Sequence, residues 1–87
     1  MEHNFMRDEN FNILTTKREK GHLFFTGEAR QGIKEGDLIN YPFGGFNEIC
    51  QVDRITEKRD SKSYPKGNGY WYSCECSAFV KEDAPKV

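Results

Sequence analysis

Residues 21–37 read GHLFFTGEARQGIKEGD, and Leu38-Ile39-Asn40-Tyr41-Pro42 follows directly. His22-Leu23-Phe24-Phe25-Thr26 is a short apolar, aromatic run held between Gly21 and Gly27, which predicts a strand closed by Gly27. Glu28 to Gly32 carries little apolar weight, and Gly32 is expected to supply the positive φ of a tight connection. Ile33-Lys34-Glu35-Gly36-Asp37 reads as a second turn, in which Asp37 can bond nearby backbone and Ile33 can tuck beneath. Leu38 to Tyr41 predicts another strand, stopped by Pro42. Strands punctuated by glycine turns, with no helical period, point to an all-β chain.

Working outward, Phe11 to Thr16 predicts a strand, and the charged run Lys17-Arg18-Glu19-Lys20 reads as the solvated end of a hairpin turning at Gly21. Pro42 to Asn47 is a loop by composition. Ile49 to Thr56 follows as a strand whose imperfect alternation suggests a bulge near Asp53. Glu57 to Gly69 reads as a long polar connection ending in a Gly-Asn-Gly turn. The last strand, Tyr70 to Ser77 and on toward Phe79 and Val80, alternates cleanly. Tyr70, Tyr72, Cys74 and Cys76 share one face, and Trp71, Ser73, Glu75 and Ser77 the other. Five short strands at roughly ten-residue spacing predict a small closed or nearly closed antiparallel β-barrel. Closure would remove the exposed edges that an open sheet must protect. The expected organisation is a flexible lead-in over 1–10, the barrel over 11–80 and a flexible tail over 81–87.

The chain has 87 residues, one domain's worth, and its 13 basic and 14 acidic residues nearly cancel. Leu, Ile, Val and Phe make up only about a fifth of it, close to the limit below which chains with high net charge stay disordered. The low net charge argues against disorder, and seven Phe, four Tyr and one Trp supply much apolar area. No apolar run is long enough to span a bilayer as a helix, and the first residues lack the layout of a secretory leader. A net charge of −1 supplies no global field toward nucleic acid or an anionic membrane. Three cysteines are too few for a disulfide scaffold, so reduced thiols in a cytoplasmic protein are expected.

The stretch from Gly21 to Asp37 resembles the β-barrel second domain of elongation factor Tu and related translation GTPases. There a strand ending in Thr-Gly precedes a Gly-x-Ile-Lys-x-Gly-Asp/Glu turn. The matching residues here are Gly21, Thr26-Gly27, Arg30 and Gly32-Ile33-Lys34-Glu35-Gly36-Asp37, with Val52-Asp53-Arg54-Ile55 resembling the family's later Val-x-x-Ile/Val strand. The resemblance covers roughly residues 11–80 and implies the barrel fold and a packing or binding role beside another domain. In elongation factor Tu that barrel helps hold the aminoacyl end of transfer RNA, with an acidic residue just after the Val-x-x-Val strand. That position falls on Thr56 here, with Glu57 next to it. The chain has no Gly-x-x-x-x-Gly-Lys-Ser/Thr phosphate loop, so GTP binding is not expected.

Residues 54–66 concentrate Arg54, Lys58, Arg59, Lys62 and Lys66 against Glu57 and Asp60, with Tyr64, Tyr70 and Trp71 nearby in sequence. Small barrels bind single strands by stacking bases on aromatics beside positive charge. Arg54, Lys58, Arg59 and Lys62 are thus candidates for phosphate contact, and Tyr64, Trp71 and Phe46 for stacking or docking. Phe43 and Phe46, in the Pro42–Asn47 loop, either fold back over a barrel end or meet a partner. Cys50, Cys74 and Cys76 with His22 or His3 would complete a Cys₃His zinc set, though Cys-x-Cys is not the usual zinc knuckle. With two histidines and no argued catalytic set, enzymatic activity is not expected, and no cofactor is implied. The predicted function is a non-catalytic binding module for a protein partner or a single-stranded or structured RNA, with no membrane partner. The alternative is a small Cys/His zinc-binding or thiol-redox domain.

Overall fold

At the Lys20-Gly21 corner both residues have positive φ, 51° and 80°. Glu19 pairs with His22 across it. This is a two-residue hairpin loop of the kind whose twist matches its strands, so pairing runs right up to the corner. The computed structural model describes residues 2–4, 11–30, 32–41, 47–62, 64 and 68–83. Its strands are β1 (Glu2–Asn4), β2 (Phe11–Glu19), β3 (His22–Ala29), β4 (Leu38–Asn40), β5 (Glu48–Asp60) and β6 (Tyr70–Val80), followed by a 3-10 turn at Lys81–Asp83. The all-β expectation holds, with 71 % of the described residues in strands. Lys17, Arg18 and Glu19 belong to β2 rather than to a turn. Their charges suit an edge strand, which needs protection from further pairing.

The strands form one sheet in the order β1-β4-β5-β6-β3-β2. All neighbours are antiparallel except β1 and β4, which run parallel. The expected closed barrel is corrected here: the sheet curls into a half-barrel and stays open, with β1 and β2 at its two edges. Ring packing does bridge those edges at one end, where His3 and Phe11 lie 5.4 Å apart. Closure would require a hydrogen-bonded ladder between them, and β1 offers three residues for it.

The concave face is the core. Phe11, Leu23, Phe25, Ile39, Val52 and Tyr72 are each at most 3 % exposed. Cys50, Cys74 and Cys76 fill the gaps between them, and all three are fully buried. The alternation read for the last strand is the one observed, because Tyr72, Cys74 and Cys76 are buried while their neighbours are half-exposed. Gly27 lies inside β3 rather than ending it. A Cβ there would sit 2.8 Å from the Asn12 carbonyl oxygen, where β2 bulges at Leu14, so the two backbones approach too closely for a side chain. In β5, register shifts flank Asp53, as expected, and also Thr56. Both bulge residues turn their side chains to β6: Thr56 Oγ1 donates to the Ser73 carbonyl at 3.0 Å, and Ser77 Oγ bonds Asp53 Oδ2.

The connection from β3 to β4 is clamped from inside. The Lys34 N–H donates to Asp37 Oδ2 at 3.0 Å, and the Asp37 N–H returns to the Lys34 carbonyl at 3.1 Å. Gly36 takes φ +93°, whereas Gly32, expected to have positive φ, does not. Ile33 is 3 % exposed, and its N–H donates to the Tyr72 hydroxyl at 3.2 Å. Gly36 and Asp37 exchange backbone bonds with Val52, each 2.8 Å, so the turn covers the edge of β5 that β4 leaves open.

Part of the N-terminal segment read as a flexible lead-in is a strand. His3 in β1 is 2 % exposed, and its Nε2 lies 2.9 Å from Asp37 Oδ2. The carboxylate can only accept, so Nε2 carries the proton. Burial pushes the Asp37 carboxyl upward, while hydrogen bonds, from His3 first and then from the Lys34 N–H, are among the interactions that bring the group below its ordinary value of 3.8.

Candidate nucleic-acid interface

β5 runs four residues past the strand expected from the sequence, through Glu57, Lys58, Arg59 and Asp60. These pair with Ser73, Tyr72, Trp71 and Tyr70 on β6. Polar as they are, the cations gain by lying across aromatic partners. The Arg59 guanidinium sits 4.0 Å from the Trp71 ring centroid, and Lys58 Nζ 4.3 Å from that of Tyr70. Each such contact is worth about 0.5–1 kcal/mol at exposed sites. Alternation puts the two on opposite faces, Lys58 on the concave side with Tyr70 and Tyr72, Arg59 on the convex side with Trp71.

Past β5 the connection begins at Ser61, whose N–H donates to the Gly69 carbonyl at 3.3 Å. The Tyr64 ring packs on Gly69 so closely that a Cβ there would collide with it. Close packing is thus what this glycine serves. Arg30, just beyond β3, lies 5.0 Å over the Tyr64 ring. Three cation–aromatic pairs therefore gather at one end of the sheet.

Across the convex face at this end runs one row of side chains. Glu28 on β3 is opposite Trp71 on β6, and Trp71 is opposite Arg59 on β5. Facing residues on neighbouring strands hold their Cβ atoms about 4.5–5.5 Å apart, so the three are in contact range. Leu14, Glu28, Arg59, Asp60, Lys62 and Trp71 line a cleft here of about 240 Å³. The β2 bulge presents Leu14 to it, and Leu14 remains 44 % exposed. Glu28 is 5 % exposed, an uncommon depth for a carboxylate on a sheet's outer face.

Of the residues selected from sequence, Lys58, Arg59, Lys62, Tyr64 and Trp71 lie at this end. Arg54 does not join them. Its guanidinium is 3.3 Å from Glu75, which also faces His22 at 3.5 Å, several residues farther along the sheet. Phe43 and Phe46 lie outside the described residues. Sequence reasoning missed Glu28 and Leu14 as lining, and Arg30 as the cation over the Tyr64 ring. Arg30 was visible only as part of the turn pattern, and nothing local in Thr26-Gly27-Glu28-Ala29 signals a cleft carboxylate.

The zinc set does not converge. The three cysteines are free thiols in the concave core, His22 is on the convex face with Glu75, and His3 is engaged with Asp37. Among the described residues, no three His, Cys, Asp or Glu are gathered to hold a metal ion. Burial pushes the Cys50 thiol up to about 12, with Glu48 adding and Arg18 opposing, and burial alone takes Cys74 up to about 12. Cys76 is pushed up too, by burial first and then by its cysteine neighbours. Thiols so held are poor nucleophiles and poor metal ligands.

The resemblance of residues 21–37 to the translation-factor second domain is one of sequence pattern alone. Comparison of the chain with protein-family models, with curated proteins and with solved structures finds no match in any of the three.

Proposed function

We propose that the protein is a non-catalytic module that binds single-stranded RNA across the end of the sheet carrying Trp71. One observation carries this reading: Arg30 over Tyr64, Lys58 over Tyr70 and Arg59 over Trp71 set cation-topped aromatic rings at one end of the sheet, the Lys58 pair on its concave face and the Arg59 pair on its convex face. Bases stack on aromatic rings and on guanidinium planes alike, while phosphates draw lysines such as Lys58 and Lys62. Glu28, Glu57 and Asp60 offset most of the local positive charge, so stacking leads and electrostatics assist. The RNA-handling role of the translation-factor domain that residues 21–37 resemble agrees with this reading, and the three free cysteines support a proposed reducing, cytoplasmic location.

Fluorescence anisotropy with a labelled single-stranded RNA tests it. Binding is expected at roughly 50 mM salt, weakening with a log–log slope of about −1.4 if two phosphates are contacted. Arg59→Ala should weaken binding about 5–150-fold, the worth of one stacked base. Arg54→Ala, whose partner Glu75 lies away from the platform, should leave it unchanged. Absence of binding at 50 mM salt overturns the proposal, as would binding indifferent to Arg59→Ala.

A further inference from the structure

The convex cleft combines three chemistries in one row: a buried carboxylate at Glu28, an indole at Trp71 and a planar cation at Arg59 stacked on that indole. Its volume of about 240 Å³ falls just below the roughly 300–1,000 Å³ of pockets for drug-sized ligands, a size for one base rather than a larger ligand. The stacked pair offers a planar surface, and Leu14 adds an apolar edge. A phosphate would suit Lys62 but not Glu28 or Asp60.

A carboxylate only accepts hydrogen bonds, and its two oxygens favour two parallel donors. It offers about four lone-pair directions, so Glu28 can keep a partner within the protein and still accept two more bonds. Among the four RNA bases, only guanine presents two adjacent donors on its Watson–Crick edge, N1–H and N2–H. Adenine and cytosine each offer one amino group beside a ring acceptor, and uracil offers N3–H between two carbonyls. Against a carboxylate those acceptors are repelled.

We propose that the cleft is a guanine subsite: the base stacks on the Arg59–Trp71 pair, Glu28 accepts from N1–H and N2–H, and Lys62 meets the phosphate. This deepens the RNA-binding reading and rests on it. Recognition of this kind discriminates because adenine, cytosine and uracil each set an acceptor against the carboxylate where guanine sets a donor.

Trp71 is the chain's one tryptophan, so its fluorescence reports on the cleft directly. Titration of the full chain with the monophosphates of guanosine, inosine, 1-methylguanosine, adenosine, cytidine and uridine is the test. Guanosine monophosphate should bind at least about tenfold tighter than the adenosine, cytidine and uridine forms. Inosine, lacking the N2 amine, should fall between, and 1-methylguanosine should lose the preference. Glu28→Gln should lower guanosine affinity about tenfold and shrink the guanosine–inosine gap. The inosine comparison on the unaltered protein decides the matter even if that variant folds poorly. Equal affinities for all six, or no fluorescence change with any, overturn the guanine assignment. Guanine-containing and guanine-free oligonucleotides separate the two readings. If both bind equally, RNA binding stands and the guanine subsite falls. If guanosine monophosphate binds and neither oligonucleotide does, the subsite stands and the RNA reading falls.

Discussion

Replacing Asp37 with alanine should destabilise the fold more than its place in a surface turn suggests. Asp37 is 6 % exposed, and its Oδ2 accepts from His3 Nε2 at 2.9 Å and from the Lys34 N–H at 3.0 Å. Alanine leaves the buried His3 ring without its partner, a charge-assisted bond worth about 1.5–3 kcal/mol. The Lys34 N–H is only part-buried and can turn to water, so its loss adds about 0.5–1 kcal/mol. The sum, about 3 kcal/mol, corresponds to a fall in Tm of roughly 12–24 °C for a domain of this size. It is also a large share of the roughly 5–15 kcal/mol of stability typical of a folded domain.

Thermal or urea unfolding followed by circular dichroism measures this. The cycle His3→Ala, Asp37→Ala and the double variant isolates the pair, and a coupling of at least about 1 kcal/mol is expected. The pH dependence has a definite sign. The Asp37 carboxyl is held below its ordinary 3.8 in the folded chain, so its contribution is complete above that value and is lost as pH falls through the lower, folded value. The stability gap between the unaltered protein and Asp37→Ala should be widest near neutrality and close in strong acid. A loss under about 0.5 kcal/mol, or no measurable coupling to His3, would refute the claim that this contact holds β1 to the sheet.

Two further outcomes follow from the core. With Cys50 and Cys74 pushed up to about 12 and Cys76 raised as well, only about one thiol in ten thousand is ionised at pH 8 even before burial limits access. A thiol reagent should therefore label all three only at the rate of unfolding, and prompt labelling of any one in native buffer would contradict their placement. Gly27→Ala forces a Cβ against the Asn12 carbonyl at the β2 bulge and should cost about 1–3 kcal/mol, measured as a lower urea midpoint with unchanged slope. A neutral outcome there would mean that the bulge is free to relax.

Much of the architecture was legible in local pattern. The alternation of Tyr70 to Ser77 identified its buried face, because a strand's period of two sorts side chains without reference to anything else. Gly21 announced a hairpin corner, and Asp53 a bulge. Glu57 to Asp60 misled, since four charged residues in a row match a solvated loop. They extend β5 because β6 supplies Trp71, Tyr70 and Tyr72 directly opposite. Glu2–Asn4 misled for a similar reason: three residues carry no period, and what fixes them is Asp37, 34 positions away. Among the candidate site residues, sequence proximity collected Lys58, Arg59, Lys62, Tyr64 and Trp71 correctly as neighbours. It also collected Arg54, which cross-strand pairing sets apart from them beside Glu75.

The amino-acid order alone therefore determined the identity of β2 to β6, the faces of β6 and the aromatic character of the core, all properties set by neighbours one or two residues apart. Whether six strands would close, and which charges would meet which rings, depended on contacts between distant segments. A three-residue β1 cannot make the ladder that closure needs, so the sheet stops at a half-barrel. Glu28 gained its place beside Trp71 only through the register of β3 on β6, where a shift of one residue would have turned it to the opposite face.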